Sequence, residues 1–240
     1  GFFVIVYPAI DLYDGKAVRL FKGDYNQMTV YSENPSQVAL DFINQGASHI
    51  HLVDLEGAKS GETPNLDTVC AIKKLTGAFC QIGGGIRSIS GVEKYIDAGI
   101  DRVILGTAAV NDEAFLRQAV EAYPEKIAVG IDIRDGYVAI KGWTEKSEKT
   151  AVGFCEEMVA LGVKTLICTD ISKDGAMQGA NHDLYKMLSE CFPVNIIASG
   201  GVSSMDDVKR LNALGIHGAI IGKAYYTGAI SLREAVEVCK

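Results

Sequence analysis

Two aspartates follow apolar segments at corresponding points of the chain. Asp11 stands in the segment PAIDLYDG and Asp132 in VGIDIRDG, 121 residues further on. Each ends a short apolar run typical of a buried strand, where packing does not require a carboxylate. Two carboxylates that face each other across a pocket with little water suit general acid–base catalysis, because their surroundings can hold one protonated and the other ionised. The structural alternative is that both cap helices or fix loops.

Glycine-rich segments at the ends of four other predicted strands, the third, fourth, seventh and eighth, indicate a second kind of chemistry. Glycine lets the backbone come close to an anion, and N–H groups at helix starts attract phosphate. The candidate phosphate-binding residues of the first half are Gly84, Gly85, Arg87, Gly106 and Thr107, and those of the second half are Gly200, Gly201, Gly222 and Lys223. Two such sites on opposite sides of one pocket predict a substrate with a phosphate at each end. The alternative is that these glycines have a purely structural role and only allow tight turns.

The chain repeats itself at a single offset. Segments 46–54, 84–88 and 99–106 resemble segments 162–170, 200–204 and 215–222, each 116 residues later. All strand–helix units share hydrophobic strands, but that similarity does not explain one shared offset. We therefore predict one domain over residues 1–240, built from two half-barrels, roughly 1–122 and 123–240, with approximate twofold symmetry.

Short apolar runs alternate with amphipathic stretches along the whole sequence. The predicted strands are 3–10, 49–53, 79–82, 102–105, 127–132, 165–169, 195–198 and 219–221. The predicted helices are 36–45, 66–75, 89–98, 112–122, 151–161, 182–190, 205–214 and 232–238. Eight strand–helix units of about 30 residues predict an α/β fold, a (β/α)8 TIM barrel with its active site at the carboxyl ends of the strands.

A doubly wound open sheet is the alternative fold, but the glycine-rich fingerprint expected after its first strand is absent. An extended piece at 137–143 indicates a hairpin arm after the fifth strand.

Composition excludes several classes of protein. The net charge of −7, from 23 basic and 30 acidic residues, argues against non-specific nucleic-acid binding. No apolar run approaches the roughly 20 residues of a membrane span, and no segment resembles a signal peptide. Six cysteines without a CxxC pair indicate a reducing compartment, so we expect a cytoplasmic protein. The four scattered histidines lack metal-ligand spacing, and no nucleotide-cofactor motif is present, so we expect neither metal nor cofactor.

Several motifs together resemble the phosphoribosylformimino-5-aminoimidazole carboxamide ribotide (ProFAR) isomerase family of histidine biosynthesis, over the whole length of the chain. The motifs are PAIDL (8–12), HLVDLEGA (51–58), QIGGGIRS (81–88), VILGTAAV (103–110), DGYVAIKGW (135–143), TDISKDGAMQGAN (169–181) and ASGGVSS (198–204). The resemblance implies a duplicated half-barrel, a bisphosphorylated substrate and an Amadori rearrangement of an aminoaldose to an aminoketose without a cofactor.

The resemblance also implies roles for individual residues. Asp132 is expected to protonate the ribose ring oxygen, and Asp11 to remove the proton from C2 of the resulting Schiff base. Thr169 and Asp174 match family positions that support this network. Arg19 and Trp143 match positions in loops that close on the substrate. His51, which lies near a predicted strand end, is a candidate substrate contact, with core packing as its alternative. We expect the protein to act as a monomer.

Three alternatives stay open on the sequence alone. The sister cyclase of the same pathway shares the repeat and the paired aspartates, but it resembles a PCLDV-type start where this chain has PAIDL. A bifunctional isomerase would also accept phosphoribosyl anthranilate from tryptophan synthesis. A catalytically silent barrel could bind a bisphosphate as a sensor, although the intact aspartate pair argues against this.

Overall fold

The computed structural model describes residues 3–106, 111–140, 145–174 and 176–240. Eight parallel strands close into a barrel in the order β1, β4, β5, β6, β7, β10, β11 and β12, and β12 pairs with β1. The barrel strands are β1 (Ile5–Tyr13), β4 (His49–Asp54), β5 (Phe79–Gly83), β6 (Arg102–Leu105), β7 (Ile127–Arg134), β10 (Thr165–Asp170), β11 (Asn195–Ser199) and β12 (Gly218–Ile221). The predicted TIM barrel is thereby confirmed.

Helices connect these strands along the outside of the barrel. They are α1 (Pro35–Asn44), α2 (Leu55–Ser60), α3 (Leu66–Thr76), α4 (Ile89–Asp97), α5 (Glu113–Ala122), α6 (Ala151–Ala160), α7 (His182–Cys191), α8 (Met205–Leu214), α9 (Lys223–Tyr226) and α10 (Leu232–Val238). The short helices α2 and α9 were not predicted. Six or four residues carry too little periodic signal to be distinguished from a loop.

Each barrel strand is buried on both faces, which explains its continuous apolar sequence. One face packs against the helices, and the other fills the barrel interior. The interior cluster consists of Tyr7, Ala9, Ile104, Ala128, Ile167, Ile197 and Ile220. Because neighbouring residues of a strand point to opposite faces, membership of this cluster fixes which residues further along each strand face inward.

Antiparallel hairpin arms extend from β1 and β7. The first arm contains β2 (Lys16–Phe21) and β3 (Asp24–Ser32), and the second contains β8 (Tyr137–Ile140) and β9 (Glu145–Thr150). Both arms begin with an Asp-Gly turn in which the aspartate and the glycine have positive φ, at Asp14-Gly15 and at Asp135-Gly136. Two consecutive positive φ angles define the tight hairpin turn that Asp-Gly favours.

The arms correct two predictions. The arm after β1 was not predicted at all, and the arm predicted at 137–143 reaches Thr150. For the same reason, Asp11 and Asp132 do not end their strands. Strand β1 continues to Tyr13 and strand β7 to Arg134, because each passes directly into its hairpin.

Candidate active site

Asp11 projects into the mouth of the barrel. Its neighbours Ile10 and Leu12 are fully buried in the outer core, whereas Tyr7 and Ala9 belong to the interior cluster. Strand alternation therefore places the Asp11 carboxylate on the interior face, above Ala9.

The same alternation applies to Asp132 on β7. Ile131 and Ile133 lie in the outer core, and Ala128 lies in the interior cluster, so Asp132 also faces inward. Strand β1 is the first and β7 the fifth around the eight-stranded barrel, so they stand on opposite sides of it. The structure thus brings the two predicted acids to one mouth.

Asp11 has a strongly altered acidity. Burial raises its pKa from 3.8 to about 6, the positive charge of Arg19 opposes that rise, and the negative charge of Asp174 adds to it. The pKa of Asp174 is also raised, by desolvation, and again Arg19 opposes the change. A carboxyl group that titrates near neutral pH can accept and return a proton under physiological conditions.

Arg19 reaches this site from the first hairpin arm. It follows Val18, whose backbone is paired with Asp11 in the hairpin. The Arg19 guanidinium carbon lies 4.6 Å from the centre of the Tyr226 ring. One of its terminal nitrogens lies 3.9 Å from the point that a Cβ on Gly222 would occupy.

His51 lies inside the barrel, where its backbone is paired with Ala9. Its Nδ1 lies 3.0 Å from Nε2 of Gln81, while Oε1 of the same amide accepts a hydrogen bond of 3.0 Å from Arg102. This orientation makes the Gln81 amide a donor to His51, so the His51 proton resides on Nε2. Burial lowers the pKa of His51 to about 4, and the ring is neutral at physiological pH.

Thr169 is the partner of Asp132 in the parallel pairing of β10 with β7. It occupies the same interior face as Ile167, two residues earlier. Thr169 and Asp132 are therefore neighbours at the mouth, as the proposed support of the acid requires.

The first glycine-rich segment comes into close contact with helix α2. Gly84 and Gly85 have φ of 130° and 72°, and a Cβ on them would overlap the backbone oxygens of Asp54 and Gly57, respectively. Only glycine fits two backbones crossing at this distance. Gly106 directly follows β6.

The two other predicted members of the first phosphate site are Arg87 and Thr107. Arg87 is exposed, and its guanidinium donates a hydrogen bond of 3.2 Å to the carbonyl of Ala58 on α2. Arg87 thus contacts the outer side of the first site through α2. Thr107 lies outside the described residues.

The second glycine-rich segment is built in the same way. Gly200 and Gly201 have φ of 81° and 80°, and a Cβ on Gly201 would lie 2.7 Å from the Gly179 carbonyl oxygen. Gly222 precedes α9, and Lys223 is the exposed first residue of that helix. Backbone N–H groups at Gly201 and at the start of α9 therefore lie at the mouth, where barrels commonly hold phosphate.

Two tyrosines at the mouth were not predicted from the sequence, and one predicted residue is not among those that the structure describes. Tyr226 and Tyr25 both have a raised pKa, mainly from burial, to which the charge of Asp11 contributes. The Asp-Gly pair at 14–15, which repeats at 135–136, was the available signal for the arm that carries Tyr25. Trp143 lies outside the described residues.

Other possible sites fit the chemistry less well. Within the described part of the chain, no group of three His, Cys, Asp or Glu side chains could hold a metal ion, and no helix is long and apolar enough to cross a membrane. A cavity of about 350 Å³ opens at the amino-terminal end of the barrel, beside Ile5, Asn195 and His217. Its described lining contains no carboxylate, whereas the opposite mouth holds both Asp11 and Asp132.

Comparison with known proteins gives a consistent result. The family described as "Histidine biosynthesis protein" matches residues 5–231. A relative from Oceanobacillus iheyensis is 48% identical over 234 residues, covering 98% of both chains. A relative from Acetivibrio thermocellus is 43% identical, covering 99% of this chain and all of its own length. A third, from Clostridium acetobutylicum, is 47% identical over 98% of both chains. All three carry the name 1-(5-phosphoribosyl)-5-((5-phosphoribosylamino)methylideneamino)imidazole-4-carboxamide isomerase.

Proposed function

Because the chain belongs to the histidine biosynthesis protein family, we propose that it catalyses the isomerisation named for its relatives, the conversion of the aminoaldose ProFAR into the corresponding aminoketose. The observation that carries this proposal is the placement of Asp11 and Asp132 on the interior faces of opposite strands at one mouth. The relatives described above share the isomerase name, which favours the isomerase over the cyclase alternative.

In the proposed mechanism, Asp132 acts first as the acid. It donates a proton to the ribose ring oxygen, the bond between that oxygen and C1 breaks, and the nitrogen lone pair forms a Schiff base at C1. Thr169, the neighbour of Asp132 on β10, supports the acid at this step.

Asp11 then acts as the base. It removes the proton from C2, and the electron pair of that bond forms an enolamine between C2 and C1. Proton transfer to C1 and loss of the proton from the C2 hydroxyl give the ketose, so atoms and electrons balance without an external oxidant. A pKa of about 6 suits this role, because Asp11 is mostly ionised at neutral pH yet can return a proton.

The glycine-rich segments supply the two phosphate sites. The first comprises Gly84, Gly85 and Gly106, with Thr107 and Arg87 as further members. The second comprises Gly200, Gly201, Gly222 and Lys223. Arg19, His51 and Trp143 are proposed to contact the body of the substrate between them. Positioning both ends fixes the reacting carbons relative to the two aspartates.

The direct test is a turnover assay with purified protein and ProFAR, without glutaminase or ammonia. Formation of the aminoketose supports the proposal, and failure of the folded protein to form it contradicts the proposal. A parallel assay with phosphoribosyl anthranilate tests the bifunctional alternative. Tight binding of ProFAR without turnover would indicate the sensor.

We also propose a cytoplasmic monomer. All six cysteines are free thiols in the structure, which suits a reducing compartment. The charge pattern does not favour a nucleic-acid partner. Light scattering during size-exclusion chromatography tests the monomeric state, and a mass of twice 25.7 kDa would contradict it.

A further inference from the structure

We propose that Tyr226 is a positioning residue that holds the Arg19 guanidinium beside Asp11. This inference rests on the proposed function, in which Asp11 is the base. Tyr226 lies on the short helix α9, directly after the second phosphate site.

Tyr226 makes two contacts that together connect α9 to the site of proton transfer. Its ring face supports Arg19, whose guanidinium carbon is 4.6 Å from the ring centre. Its hydroxyl donates a hydrogen bond of 2.5 Å to the carbonyl of Ala9, two residues before Asp11 on β1. The ring that supports Arg19 is therefore fixed to the same strand as Asp11.

Further aromatic side chains hold the Tyr226 ring in place. Tyr31, on the first hairpin arm, meets it edge to face at 4.7 Å, and Tyr225 does so at 5.0 Å. Aromatic pairs in this geometry add stability beyond the area they bury. An arginine side chain has many rotamers, and stacking on a fixed ring selects one of them.

The position of Arg19 matters because of the charges around Asp11. Arg19 lowers the pKa of Asp11, whereas Asp174 and burial raise it. Tyr25 from the first arm and Tyr226 from α9 also interact electrostatically with Asp11. Both are neutral at physiological pH, because their pKa values are raised above the ordinary value for tyrosine. His51 on β4 is neutral as well, and Asp132 is the acid on the opposite strand. Holding Arg19 in place therefore keeps the pKa of Asp11 below the value that burial and Asp174 alone would give it.

The test measures the pKa of Asp11 directly and compares three variants. The Asp11 carboxyl signal is followed by carbon-13 NMR of the labelled protein and is assigned with Asp11→Asn. Tyr226→Met fills the space without a ring face, Tyr226→Phe keeps the ring, and Tyr123→Met, at a partly buried tyrosine directly after α5, is the matched control. An opposite charge nearby typically shifts a carboxyl pKa by about 1–3 units.

We expect Tyr226→Met to raise the pKa of Asp11 by about 1 unit. Tyr226→Phe, which keeps the ring but loses the bond to Ala9, should raise it by less, and Tyr123→Met should leave it nearly unchanged. At pH 6 a rise of 1 unit lowers the ionised fraction of Asp11, and with it kcat/KM, about fivefold, but at pH 8 the loss is small. Arg19→Met should produce the same rise, and adding Tyr226→Met to it should produce no further rise.

An unchanged Asp11 pKa in folded Tyr226→Met, or an equal rise in Tyr123→Met, overturns the proposal. A raised Asp11 pKa with an unshifted pH profile of kcat/KM supports the positioning role but contradicts Asp11 as the base. If Tyr226→Met does not fold, pentafluorophenylalanine at position 226 is compared with Tyr226→Phe. The fluorinated ring keeps its shape but does not attract a cation, so it should raise the pKa of Asp11, and no rise would contradict the inference.

Discussion

Asp54 and Asp170, which lie 116 residues apart, each accept a hydrogen bond from the side-chain amide of an asparagine 11 residues further along the chain. The distances are 2.8 Å from Asn65 to Asp54 and 2.7 Å from Asn181 to Asp170. The same bond thus fixes the loop after β4 and the loop after β10, next to the first and second glycine-rich segments. The internal repeat therefore extends to individual hydrogen bonds.

Removing either asparagine side chain should destabilise the fold. Asn65→Ala leaves the fully buried Asp54 without one of its donors, and Asn181→Ala does the same to Asp170. We expect each variant to lower the free energy of unfolding by about 1–3 kcal/mol, measured by urea denaturation. Asn26→Ala, in the exposed first arm, is the control and should stay within about 0.5 kcal/mol of the parent. Equal effects at all three positions would contradict the interpretation.

The close crossing of two backbones at Gly85 predicts that two glycines with similar φ angles differ in how well they tolerate alanine. Gly85 and Gly77 have similar φ angles, 72° and 63°, but a Cβ on Gly85 would overlap the Gly57 oxygen, whereas one on Gly77 would meet open space. Gly77→Ala should cost about 1 kcal/mol from backbone strain alone, measured by thermal denaturation. Gly85→Ala should cost more and should raise KM as well, because the loop must shift. If both variants behave alike, the overlap is not what requires glycine.

Substitution of the proposed base should nearly abolish turnover. Asp11→Asn keeps the shape of the side chain but cannot accept the C2 proton, so kcat should fall by about 10²–10⁴-fold. Asp14→Asn is the matched control, because Asp14 is exposed at the hairpin turn, where asparagine is also favoured. It should keep nearly full activity in the same steady-state assay. An Asp11→Asn enzyme with more than about a tenth of the parent kcat would falsify the role of Asp11 as base.

The raised pKa of Asp11 predicts opposite pH effects on activity and on stability. Below about pH 6 the base becomes protonated, so kcat/KM should fall as pH decreases. Folding, in contrast, is favoured by protonated Asp11, because its pKa is higher in the folded state than its ordinary value of 3.8. Asp11→Asn should therefore melt at a higher temperature than the parent at pH 8, and the difference should disappear as pH falls to 4. If the melting temperatures of Asp11→Asn and the parent differ by the same amount at pH 8 and at pH 4, this interpretation is contradicted.

The repeat and the strand periodicity were enough to predict the barrel and to bring Asp11 and Asp132 to one mouth. Both signals are local and regular, and parallel strands buried on two faces leave few other folds. The hairpin after β1 escaped prediction because residues 16–32 mix polar and apolar side chains without regular alternation; only Ala17 and Val18 are buried, and most of β3 is exposed.

The electrostatic environment of Asp11 was not predictable from the sequence. Arg19, Asp174 and Tyr226 come from three elements that are distant along the chain, and only the closed barrel places them near one another. His51 could be placed near a strand end from sequence, but its neutral state depends on burial and on the Gln81 amide, which the sequence does not reveal.

The interior of the barrel is filled below the mouth by the cluster that includes Tyr7, Ile104 and Ile220. Reactant and product must consequently enter and leave through the same mouth, which the hairpin arms border. The slowest event of turnover can then be departure of the ketose rather than bond making, in which case added viscosity would slow the enzyme while deuterium at C2 would not.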